Sequence, residues 1–126
     1  MSAKNVDRTK PPRTPDLPHY KLPPVFETKL PNGLAVLLVE DNRFPIVTVR
    51  LGFQAGSKYD SEELAGLSET AAALLTEGTA NRKARQIAEE VAAIGGSLHA
   101  DSSADVLLVA ASALAENLAQ LVELLA

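Results

Sequence analysis

Two histidines, His19 and His99, and no cysteine set the first limit on chemistry in this sequence of 126 residues. A catalytic zinc on a helix needs two imidazoles one turn apart, and a structural zinc needs thiolates. His19 and His99 offer neither arrangement, so a nitrogen-and-sulfur metal site has too few ligands. Carboxylates are more abundant, but Glu62-Glu63, Glu89-Glu90, Glu116 and Glu123 have the neighbours of solvated helix faces. Ser102, His99 and Asp101 or Asp105 can be written down as a nucleophilic triad, yet no nucleophile elbow presents a serine. Gly95-Gly96 follows a helical pattern, whereas a phosphate-cradling loop precedes a helix, so the pair reads as a helix stop.

The elements that must position these residues come from a chain that is 46% apolar, 22% charged and 4% aromatic, long enough for one buried core. Lys and Arg number 12 against 16 Asp and Glu, and the net charge of -4 gives no basic footprint for a phosphate backbone. No nucleic-acid partner is expected. No apolar stretch approaches the ~20 residues of a membrane span. Met1 is followed by polar Ser2-Ala3-Lys4-Asn5 rather than the apolar run of a signal peptide. A signal removed ahead of Met1 would make the chain periplasmic; otherwise it is cytoplasmic, and the lack of cysteine fits either.

Six of the eight prolines fall within residues 1–24, where each fixes φ and lacks the N–H of a helix or ladder. This proline-rich arm is expected to be extended or disordered. It carries five basic and two acidic side chains, whereas residues 25–126 carry seven basic and 14 acidic ones, so arm and body should attract.

From Val25 the pattern becomes regular. Phe26 to Leu30, the turn Pro31-Asn32-Gly33 and Leu34 to Val39 read as a hairpin, its second strand apolar enough to be buried on both faces. Ile46 to Phe53 reads as a strand pairing its predecessor. Between Ser61 and Thr76 the period becomes helical, with Leu64, Leu67, Ala71, Leu74 and Leu75 in one apolar arc and Ser61 with Glu62-Glu63 at the start. Ala84, Ile87, Ala88, Val91 and Ile94 mark a second helix stopped by Gly95-Gly96. Strands are expected at Ser97–Ser102 and Val106–Ala111, then a helical stripe through Leu114, Leu118, Leu121, Val122 and Leu125. The expected fold is α+β, two layers, with helices on one face of a mainly antiparallel sheet. The stripe runs to Ala126 without a cap, so residues 25–126 are expected to be the first part of a larger domain, truncated in its last helix.

The order Leu30-Pro31-Asn32-Gly33-Leu34, Pro45-Ile46-Val47, Gly56-Ser57, Gly66-Leu67, Gly78-Thr79 and Gly95-Gly96 resembles the start of pitrilysin/insulinase-type zinc peptidases, the inverzincins that include the mitochondrial processing peptidases. The resemblance covers residues 25–126. In that family the stretch between Gly66-Leu67 and Gly78-Thr79 holds His-x-x-Glu-His, two zinc ligands and a general base. Here the first His position is Glu69, the Glu position is Ala72 and the second His position is Ala73. All three avoid the leucine arc, so their face could line a cavity without holding zinc. The family's further acidic ligand lies downstream of this chain.

The resemblance therefore implies a non-catalytic subunit or fragment of a zinc-peptidase-like clamshell, without catalytic residues or metal of its own. It would form a peptide-binding chamber with a partner that carries His-x-x-Glu-His and the zinc. The strand after the double glycine commonly reads Asn-Ala in the family and can pair with an extended substrate; His99-Ala100 stands there and is the expected substrate-binding edge. The alternatives are a structural or assembly scaffold without peptide binding, as in respiratory-complex core subunits, and an independent hydrolase using Glu69 or His99. A homo-oligomer of the fragment, through an exposed sheet edge or its final helix, is a further expected association.

Overall fold

The computed structural model describes Thr9 and residues 21–126. Apart from Thr9 and residues 21–24, the arm read at 1–24 lies outside the described residues. Two compact units meet between Asp41 and Asn42. The first holds the hairpin β1 (Val25–Lys29) and β2 (Ala35–Val39), antiparallel from Val25 opposite Val39 to Lys29 opposite Ala35. Gly33 takes φ +90° in the turn, Gly33 N–H donates to Leu30 O, and Asn32 Oδ1 accepts from Leu34 N–H. A strand buried on both faces needs layers on both sides. Within this unit and among the described residues β2 has the single partner β1, and a two-stranded hairpin by itself cannot cover both faces of Leu37, Leu38 and Val39, as the expectation of a doubly buried strand required.

The second unit carries β3 (Ile46–Phe53), α1 (Leu67–Leu74), α2 (Ala84–Ala93), β4 (Ser97–Ser102), β5 (Leu107–Leu114) and α3 (Leu118–Leu125). Its sheet has the order β3-β5-β4, antiparallel throughout. Within this unit β3 pairs with β5, a partner the sequence reading did not name, along its whole length from Ile46 opposite Leu114 to Phe53 opposite Leu107. β5 is the most buried strand, with Leu107, Ala110, Ala111 and Ala113 buried, and it holds the central place with a neighbour on each edge. It runs three residues further than expected, which takes Leu114 out of the helical stripe.

Alternation sorts the strands into two faces. Val47 and Val49 of β3, Leu98 of β4 and Ala111 and Ala113 of β5 pack with Ile94, Leu121, Leu124 and Leu125 from the helices. The other face presents Thr48, Arg50, Ser97, His99 and Asp101, all exposed. Helices on one face and polar side chains on the other make the two-layer α+β arrangement. Leu121 is completely buried, as the stripe in α3 predicts, whereas Leu118 and Val122 stay exposed and Leu124 and Leu125 complete the contact.

α2 buries Ile87 and Val91, with Ile94 just past its end. It stops in a Schellman motif: Gly95 N–H donates to Ala92 O at 3.0 Å and Gly96 N–H to Val91 O at 2.9 Å, with Gly95 at φ +61°. Gly96 is needed for space, because a Cβ there would lie 2.8 Å from Ser112 O on β5. Arg82 binds α2 to α3 through Glu90 Oε2 at 3.1 Å and Glu123 Oε1 at 2.9 Å. The hydrogen bond to Glu123, then the charge of Glu90, raises the guanidinium pKa above its ordinary value.

Candidate functional site: a helix and a free sheet edge

The helix expected over Ser61–Thr76 forms in two pieces, a 3-10 turn at Glu62–Leu64 and α1 from Leu67. Gly66 separates them at φ +89°, a conformation that ends helical winding, and Ser61 caps neither piece with its side chain. The N-terminus of α1 is held instead by Asp60, eight residues before Ser68. The Asp60 carboxylate accepts from Gly66 N–H at 3.2 Å, Ser68 N–H at 3.2 Å and Ser68 Oγ–H at 3.1 Å. Negative charge at the first turn of a helix and satisfied orphan N–H groups both favour this arrangement.

α1 packs on β4 and β5 through small side chains. Ser68 and Ala72 are 5% and 3% exposed, while Leu64, Leu67, Leu74 and Leu75 are about half exposed. The leucine arc expected to face the core therefore faces outward. Small side chains at the contact let a helix lie close to a sheet, so the buried positions of α1 follow side-chain size rather than the hydrophobic count. Of the three positions aligned with His-x-x-Glu-His, Glu69 and Ala73 are exposed and Ala72 is buried. The face expected to be able to line a cavity therefore does not include Ala72, which is turned to the sheet. A lone carboxylate between methyl groups supplies neither imidazole ligands nor a base beside them, and among the described residues no group of three His, Cys, Asp or Glu is placed to hold a metal ion.

β4 is the outer strand of the sheet and has β5 as its one partner among the described residues. His99 lies opposite Ala110 and Ala100 opposite Val109. Their side chains take opposite faces, His99 exposed on the open face and Ala100 half-buried on the helical side. Ser103 N–H donates to Val106 O where the β4–β5 hairpin closes, which fixes the alternation along β4. Ser97, His99 and Asp101 direct their main-chain groups toward β5. Leu98, Ala100 and Ser102 direct N–H and C=O toward the free edge. The same alternation separates His99 and Asp101 from Ser102, and Asp105 is ion-paired with Lys58, so no Ser-His-Asp triad assembles.

The segment before α1 is clamped on the tip of this hairpin. Ser57 N–H donates to Ser103 O and Lys58 N–H to Ala104 O, at 2.9 and 3.0 Å. Gly56 lies so close that a Cβ would come within 2.4 Å of Ser103 O. Asp60 is the residue that sequence reading missed, and Gly56, quoted there only within the family pattern, carried no sign of its contact with Ser103. Glycine two residues before a lysine and aspartate six before a glycine carry no local signature, because their partners lie elsewhere in the chain.

The sequence pattern of Insulinase (Peptidase family M16) matches residues 35–126. The chain is 34% identical over 99 residues to an uncharacterized zinc protease of Rickettsia felis, covering 79% of this chain and 24% of that protein. It is 33% identical over 99 residues to a probable mitochondrial-processing peptidase subunit beta of Arabidopsis thaliana, covering 79% and 19%. With cytochrome b-c1 complex subunit 1 of Bos taurus it shares 33% identity over 105 residues, covering 83% and 22%. Among solved structures, the peptidase M16 inactive domain from Pseudomonas fluorescens superposes with a TM-score of 0.72 at 25% identity, over 81% of this chain and 24% of that one. The chain thus spans about a quarter or less of the length of the relatives it matches.

Proposed function

The chain belongs to the insulinase family, peptidase family M16, and from that premise we propose that it is a non-catalytic part of a peptidase-like chamber, receiving an extended peptide along β4 and relying on a partner subunit for hydrolysis. The observation that carries this reading is the pairing of a free strand edge with a helix stripped of zinc chemistry. β4 offers the main-chain groups of Leu98, Ala100 and Ser102 to an added strand, and α1, which packs on β4, has Glu69, Ala72 and Ala73 where a catalytic relative needs His, Glu and His.

Strand addition draws affinity from main-chain hydrogen bonds and asks little of side chains, so His99-Ala100 can serve where Asn-Ala is usual. The open face beside the edge, with Arg50 and His99 flanking Ala110 across β5, would meet alternate side chains of the bound peptide. Glu69, Ala72 and Ala73 bring no imidazole to the helix face where a catalytic relative holds its zinc, so hydrolysis falls to a partner bearing His-x-x-Glu-His. The names of the matched relatives support such pairing, since two of them are subunits by name.

The test is titration of the chain with unstructured peptides, followed by amide NMR signals. Perturbation concentrated at Ser97–Ser102, together with peptide hydrolysis only when a zinc-bearing M16 subunit is added, is the expected result. Binding of a partner protein without any peptide effect on Ser97–Ser102 would replace this reading by a scaffold role, which the likeness to a cytochrome b-c1 subunit favours. Chelator-sensitive hydrolysis by the isolated chain would overturn both.

A further inference from the structure

The free edge of β4 has a property that peptide recognition does not require: it is complementary to itself. An antiparallel partner on this edge pairs outward-directed residues with outward-directed residues, so Leu98, Ala100 and Ser102 must meet one another. Three two-fold registers keep at least two of these residues in the ladder. The first sets Leu98 opposite Ala100, which places His99 against His99 of the other copy. The second sets Ala100 opposite Ser102 and places Asp101 against Asp101. The third centres on Ala100 opposite Ala100, sets Leu98 opposite Ser102, and places His99 opposite Asp101 twice.

Only the third register engages all three outward residues and avoids like side chains on the open face. His99 and Asp101 are both exposed there. They occupy non-hydrogen-bonded positions of the new pair, where opposite side chains approach most closely. A two-fold contact of this kind closes on itself and stops at a dimer.

We propose that β4 pairs with β4 of a second copy of this chain, in the register that sets His99 against Asp101, and that this dimer occludes the edge otherwise open to peptide. The inference shares with the proposed function only the use of that edge.

Sedimentation velocity of the full chain over a concentration series tests it, with three variants whose substitutions fall on exposed positions and whose folding is checked by far-ultraviolet circular dichroism. The wild-type chain is expected to show a monomer–dimer equilibrium. His99→Asp, which sets carboxylates against each other twice, should weaken the dimer about tenfold or more. Exchanging the two residues, His99→Asp with Asp101→His, restores both pairs and should restore the dimer; Asp101→Asn should weaken it less than His99→Asp does. A wild-type chain that stays monomeric at all concentrations overturns the inference, as does a dimer indifferent to His99→Asp, a failure of the exchange to rescue, or open-ended association. The proposed function fails on a different readout. Peptide shifts at Ser97–Ser102 in a chain that never dimerises would keep that function and remove this inference, and a dimer with no peptide binding would do the reverse.

Discussion

Removing the Asp60 carboxylate should loosen α1 and, with it, the surface on which the aligned positions Glu69, Ala72 and Ala73 stand. Asp60 supplies the only side-chain acceptor at the start of α1 among the described hydrogen bonds, taking Gly66 N–H, Ser68 N–H and the hydroxyl of Ser68. Loss of a helix cap costs about 1 kcal/mol. Ser68 is 5% exposed, so its hydroxyl has no ready access to water, and a buried donor left unpaired costs about 1–3 kcal/mol more. Asp60→Ala should therefore destabilise the fold by about 2–4 kcal/mol. Asp60→Asn, which keeps one acceptor oxygen, should lose about 1 kcal/mol. Urea unfolding followed by circular dichroism reads the change; with a slope of about 2 kcal/mol per molar, Asp60→Ala moves the midpoint down by about 1–2 M. The decisive measurement is the double-mutant cycle with Ser68→Ala. If Asp60 acts through Ser68, the double variant should be more stable than the sum of the singles predicts, by about 1 kcal/mol or more. Additive losses, or an unchanged midpoint for Asp60→Ala, would refute the capping role.

The orientation of α1 can be tested by charge insertion: Ala72→Glu buries a carboxylate and should cost about 3 kcal/mol or more, whereas Ala73→Glu on the exposed side should change stability by about 0.5 kcal/mol or less, both read by urea unfolding. Leu121→Ala removes a fully buried side chain from the contact between α3 and the sheet and should cost about 2–5 kcal/mol, read from the same midpoint. At the end of α2, Gly96→Ala forces a methyl group against Ser112 O and should cost about 1–3 kcal/mol, and Gly95→Ala, with nothing within 4 Å but φ at +61°, should cost about 1–2 kcal/mol of backbone strain, both read by thermal unfolding.

Local pattern was enough for the elements themselves. Alternation and turn chemistry placed β1, β2, β3 and β4 within a residue or two of where they form, and the spacing of Ile87, Val91 and Ile94 with Gly95-Gly96 placed α2 and its stop. These features are legible because periodicity and φ preference act over a few residues. The residue types at Glu69, Ala72 and Ala73 are also read from the sequence alone, and none of them is an imidazole.

Strand partnership, helix orientation and capping were decided by the tertiary structure. β3 pairs with β5, more than fifty residues away in sequence, a partnership that no local pattern in either strand specifies. α1 sets Ser68 and Ala72 against the sheet and leaves Leu67 and Leu74 about half exposed, an orientation that the apolar count of the helix does not give. Asp60 and Gly56 gained their roles from Ser68 and Ser103, residues that only the folded chain brings to them. His99 and Ala100 could be named from sequence, but their place on a free edge follows from the strand order β3-β5-β4. Contacts between distant segments depend on distances that no local period encodes, and this chain's candidate site is built from such contacts.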